Sequence, residues 1–137
     1  MTYRYLPHTA DIKVAIEAPS LEAVLHDAVT LARQLLVGDS RVNACEQQSV
    51  RLEAANAEEL LLNLLRDVLH RYETSGFIPA GLTVTLLDTT RLEAQLLGEP
   101  FDSARHAPEP EVKAVTRHHL TVKETENGWY AEVVFDV

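Results

Sequence analysis

With 137 residues, 46% of them hydrophobic, the chain can bury a core without staples and reads as one domain over residues 1–137. Its 12 Lys and Arg against 21 Asp and Glu leave a net charge of −9, which repels a phosphate backbone and suits a bound cation or a basic protein partner. No apolar run approaches the ~18 residues of a membrane span. The start lacks a signal-peptide pattern, and a lone Cys45 excludes an internal disulfide, so a reducing cytoplasm is the expected location.

The first clear strand pattern begins at Ile12, with Ile12, Val14 and Ile16 alternating against Lys13 and Glu17. Pro19-Ser20 then announces a helix with Ser20 as N-cap. Its apolar positions run from Leu21 through Val24, Leu25, Ala28, Leu31 and Ala32 to Leu35, and Gly38 stops it. A second strand places Val50, Leu52 and Ala54 against Arg51 and Glu53. Asn56-Ala57-Glu58-Glu59 has the form of a capping box with Asn56 as the cap. In the helix that follows, Leu61, Leu64, Leu65, Val68 and Tyr72 make a core-facing stripe, and Leu60, Leu62 and Leu69 widen it. An apolar arc that broad requires cover on two sides, or a partner.

Beyond Gly76 the periodicity changes to two. Leu82, Val84 and Leu86 alternate with threonines, and Leu92, Ala94 and Leu96 with Glu93 and Gln95. The stretch Gly98–Glu111 holds three prolines and no period, and reads as a long surface loop of the kind that often carries function. A hairpin closes the chain: Val112 to Lys123, a turn in Glu-Thr-Glu-Asn-Gly, then Trp129 to Val137. In its second strand Trp129, Ala131, Val133, Phe135 and Val137 share one face, and Tyr130, Glu132, Val134 and Asp136 the other. Strand-helix-strand-helix followed by hairpin strands predicts an α+β domain, two helices on a largely antiparallel sheet.

Chemistry-bearing motifs are few. Neither a dinucleotide fingerprint nor a P-loop can be built from five glycines, and the nucleophile elbow is missing. Cys45 has no assigned base beside it. His26 and His70 lack a partner at i+4, and His118 and His119, adjacent on a predicted strand, are expected on opposite faces and so unable to share a metal. The carboxylates at the ends of the chain differ. Asp136 is followed by Val137, whose α-carboxylate would stand one residue away if it is the native end, and neighbouring strands lie only ~5 Å apart. Asp11, beside the start of the first strand pattern, is positioned to converge on them. Such an all-oxygen set would suit Ca²⁺, Mg²⁺ or Mn²⁺. The plainer alternatives are an Asx turn at Asp11 and a solvated chain end at Asp136.

Four separated stretches resemble the archease family: Tyr-Leu-Pro-His-Thr-Ala-Asp-Ile-Lys at 5–13, the leucine-rich second helix, Gly-Glu-Pro-Phe-Asp-Ser-Ala-Arg-His at 98–106 with Lys-Ala-Val-Thr at 113–116, and the ending Trp-Tyr-Ala-Glu-Val-Val-Phe-Asp-Val. The resemblance implies a small cytoplasmic accessory protein without turnover of its own. Its partner would be an RtcB-type RNA-splicing ligase, whose guanylylation and repeated turnover it promotes, with RNA and GTP met only through the ligase. It also implies one divalent cation, foremost Ca²⁺, held by Asp11, Asp136 and the carboxylate of Val137, and a part in activation for Lys113. His8 would support the turn or stand behind the ligands. An older description of the family implies a chaperone or modulator of enzymes such as tRNA methyltransferases, which would expose an apolar patch, for instance along Leu60–Leu69. Two departures from the family pattern are Arg117, where an aromatic is common, and Leu64-Leu65-Arg66-Asp67 in the second helix. A metal-dependent phosphate-ester hydrolase using the same carboxylates is a third reading, disfavoured because such chemistry usually employs two metals.

Overall fold

A computed structural model describes residues 2–6, 11–109, 112 and 114–136. Strands β1 (Thr2–Leu6) and β2 (Ile12–Ala18) lead to helix α1 (Leu21–Val37). Strand β3 (Glu46–Glu53), helix α2 (Ala57–Ser75) and strands β4 (Phe77–Leu87), β5 (Arg91–Pro100), β6 (Ala114–Thr125) and β7 (Gly128–Asp136) follow. The expected α+β class holds, but the strands divide into two antiparallel sheets, ordered β1-β2-β7-β6 and β3-β5-β4.

The helices start and stop where their caps dictate. The Ser20 side chain accepts the Ala23 N–H at 3.1 Å, and Asn56 accepts the Glu59 N–H at 2.9 Å while Glu59 reaches back to the Ala55 N–H. Gly76 closes α2 with φ 72°, a left-handed conformation that costs glycine little, its N–H returning to Tyr72 O. Each helix touches both sheets: α1 meets β2 and β7 on one side and β4 on the other, and α2 meets β6 on one side and β3, β4 and β5 on the other. This explains the wide apolar arc. Leu60, Leu61, Leu62, Leu64 and Leu65 are all fully buried because α2 is covered from two directions. One hydrophobic cluster joins both helices to both sheets, with Ile16, Leu25, Leu31, Ile78, Leu96 and Phe135 among its fully buried members.

Two elements differ from the sequence expectation. Strand β1 has no counterpart in it. It is a short edge strand, paired only with β2, and Tyr5 is 52% exposed, so no apolar alternation betrays it. It is tied to α1 by the Thr2 N–H, which donates to the buried Asp27 carboxylate at 3.1 Å. Burial raises the Asp27 pKa, and that hydrogen bond works in the opposite direction. Second, Gly98, Glu99 and Pro100 belong to β5 rather than to a loop. Edge strand β4 accommodates Pro79 and Gly81 by a register shift between them, so pairing continues to Phe77↔Pro100.

Gly98 is required here by close approach. A Cβ on it would lie 2.0 Å from the Ile78 carbonyl oxygen and 2.9 Å from Phe77 Cζ. Gly98→Ala must therefore push β4 and β5 apart and is expected to cost about 3 kcal/mol. Urea denaturation at pH 7 measures this, and an unchanged midpoint would contradict it.

Candidate functional site

The register of the first sheet carries the two aspartates to the same end of it. Ile12↔Phe135 is the last pair of the β2–β7 ladder, and Asp11 and Asp136 are the next residues on these two neighbouring strands. Neighbouring strands lie about 5 Å apart. Asp136 also pairs with Ala114 of β6, and the fully buried Val133 and Phe135 anchor the strand that presents it. Asp136 is exposed and Asp11 half-buried. Asp11 lines a shallow depression of 310 Å³ with Tyr5, Leu6, Ile12, Lys13 and Leu35. Two carboxylates at one end of a sheet are hard oxygen donors of the kind a divalent cation such as Ca²⁺ takes. His8, Lys113 and Val137 lie outside the described residues, as does the rest of the His-Thr-Ala-Asp turn apart from Asp11.

The face that carries Asp136 continues as a polar network. Lys13 Nζ lies 3.5 Å from Glu132 Oε2, and Tyr130 Oη donates to Glu132 Oε1 at 2.5 Å. Burial, reinforced by that carboxylate, pushes the Tyr130 hydroxyl up to about 12, so it remains a donor at neutral pH. The same hydrogen bond, with help from Lys13, lowers the Glu132 pKa. Farther along, Arg4 pairs with Glu17 at 3.1 Å and Lys123 stands over the Tyr130 ring at 5.8 Å. A larger open concavity, 710 Å³ beside Trp129, Tyr130 and Lys123, lies at the opposite end of the sheet from the aspartates, so size alone does not locate the site.

A second constellation went unseen in the sequence. Glu99 and His106 are each 3% exposed. The Arg105 guanidinium grips Glu99 with Nη2–Oε1 at 2.6 Å and Nη1–Oε2 at 3.0 Å, and the Asn43 N–H adds a bond of 2.7 Å. His106 Nδ1 accepts the Asp102 N–H at 2.8 Å, which leaves its proton on Nε2, 3.1 Å from Glu99 Oε2. This network folds the segment after β5 inward. Its role is structural, since the reactive atoms are covered. The spacing of Glu99 from Arg105 and His106 was the available signal, but nothing local shows that they meet.

The histidine expectation needs one correction. The β6–β7 register slips between Thr116 and Thr121, and His119 has φ 57° in that bulge. Alternation is lost, and the His118 and His119 rings come within 4.1 Å instead of facing apart. Even so, among the described residues no three His, Cys, Asp or Glu side chains converge as a metal site. Arg117, on the same bulge, pairs with Glu59 at the start of α2 at 3.1 Å.

Two antiparallel sheets with two helices between them, and an aspartate pair at the open end of one sheet, define an α+β domain with a carboxylate-bearing strand end. The model of the Archease protein family (MTH1598/TM1083) matches residues 3–137, and the chain belongs to that family. Relatives named protein archease include those of Methanosarcina barkeri, 30% identical over 98% of this chain and 95% of its own, and Pyrococcus abyssi, 29% identical over 98% of each. Among solved structures, the solution structure of Methanobacterium thermoautotrophicum protein 1598 superposes with a TM-score of 0.82 at 23% identity over 98% of both chains. The crystal structure of "an archease, possible chaperone" from Thermotoga maritima gives 0.58 at 20% identity, over 96% of this chain and 94% of that one. Both share the fold.

Proposed function

We propose that this chain is a cytoplasmic, cation-dependent accessory protein, without turnover of its own, that promotes guanylylation and repeated turnover of an RtcB-type RNA-splicing ligase. The observation that supports this reading is the Ile12↔Phe135 pairing, which leaves Asp11 and Asp136 at the same end of β2 and β7. One divalent cation, Ca²⁺ foremost, with Mg²⁺ or Mn²⁺ as alternatives, would be held there together with the carboxylate of Val137. A cation so placed supplies a positive point on an otherwise acidic surface, where a phosphate of a partner's substrate can be met. Lys113 is the second residue proposed to act on the partner, which alone would handle RNA and GTP. No helix among the described residues is long and apolar enough to cross a membrane, in keeping with this setting.

A chaperone-like reading draws on the wording attached to the Thermotoga maritima structure, but the apolar patch expected along Leu60–Leu69 is not there. Those leucines are buried between the sheets, and among the described residues only Tyr5 and Leu86 are large exposed hydrophobics. The test is guanylylation and multiple turnover by a cognate ligase with and without this protein. Faster guanylylation that is lost with Asp136→Asn is expected. Equal stimulation by wild type and variant, or stimulation unaffected by chelator, would refute the reading.

A further inference from the structure

Lys13 stands between two acidic positions on one face of the sheet. It pairs with Val134 across the β2–β7 ladder, and Glu132 and Asp136 are the residues two steps to either side of Val134. Diagonal neighbours of this kind lie about 7–8 Å apart, within reach of a lysine stem. The structure shows which of the two Lys13 takes: its ammonium rests 3.5 Å from Glu132, and both side chains are about one-fifth exposed, at 20% and 22%. Glu132 is held in turn by the Tyr130 hydroxyl. The residue opposite Glu132 is Ala15, small and fully buried, so no bulky side chain competes for that cross-strand position. Lys13 also lines the depression that holds Asp11.

We infer that Glu132, fixed by Tyr130, is a positioning residue that keeps Lys13 away from Asp136, and that Lys13 is a built-in competitor whose placement sets the affinity of the aspartate pair for a divalent cation. Without Glu132 the other diagonal neighbour within a lysine's reach is Asp136, where the ammonium neutralises charge the cation needs. This rests on the cation reading proposed above.

Calorimetric Ca²⁺ titration of the full chain separates the two. Glu132→Gln is expected to weaken Ca²⁺ binding about three- to fivefold, the effect of one partly screened ion pair, and Lys13→Met to tighten it by a similar factor. In the Lys13→Met background, Glu132→Gln should change nothing further. A general loss of negative charge would instead weaken binding equally in both backgrounds, and that result overturns the inference. Saturable binding that Asp136→Asn removes but Glu132→Gln leaves untouched also overturns it while sparing the cation reading. No saturable binding by the wild-type chain refutes both.

Discussion

Asp136→Asn is expected to weaken divalent-cation binding by about two orders of magnitude while leaving the fold intact, and Asp11→Asn should do the same. Asp136 is exposed, so stability without a cation should stay within about 0.5 kcal/mol of wild type. With cation the variants should fall behind. A ligand at one hundred times its Kd stabilises the folded state by about 2.7 kcal/mol, and only a chain with both carboxylates receives that increment. Thermal melts with Ca²⁺ and with chelator check it: the wild-type transition should move upward with Ca²⁺ and the two variants should not. A Ca²⁺-dependent shift of full size in both variants would remove these residues from the site.

The candidate aspartates were legible as positions in the sequence because they sit at element ends, and ends are marked by where alternation begins and stops. Asp11 precedes Ile12, and Asp136 follows the buried Phe135. What could not be read was the register, which pairs Ile12 with Phe135 and so carries both aspartates to one end of the sheet, across more than a hundred residues of chain. The same limit hid the Lys13–Glu132 pair, since its partners are local to nothing. Helices were read well because capping is local chemistry: Ser20, Asn56 and Gly76 act on backbone groups within four residues. Strand β1 was missed because an edge strand with exposed Tyr5 and Arg4 need not alternate, and the His118–His119 geometry because a bulge breaks the period on which the expectation rested. The division into two sheets follows from α2, whose extra leucines demanded a second layer without saying what it was made of.

The largest effect of pH on stability is expected from Glu99. Hydrogen bonds from Arg105 first, then from the Asn43 N–H and His106, hold its carboxyl down to about 2, against an ordinary value of 4.5. A carboxyl whose folded pKa is depressed binds fewer protons folded than unfolded, so it stabilises the fold above the unfolded value. That contribution is lost as pH falls from about 4.5 towards 2. Glu99→Gln should therefore lower the melting temperature at pH 7 and flatten the acid limb between those pH values. The amide cannot hold the Arg105 fork as an anion does, and it leaves Asp102 as that guanidinium's remaining carboxylate. Arg105→Met should also flatten the limb, since it removes the main cause of the depressed pKa. The segment after Glu99 is fastened to α1 by the Glu109 N–H on the Leu36 carbonyl, and to the turn after that helix by the Ala107 N–H on Ser40 Oγ. Melting temperature measured from pH 7 to pH 2.5 is the check. Parallel curves for wild type and Glu99→Gln across that range would show that the Glu99 network does not set the acid stability.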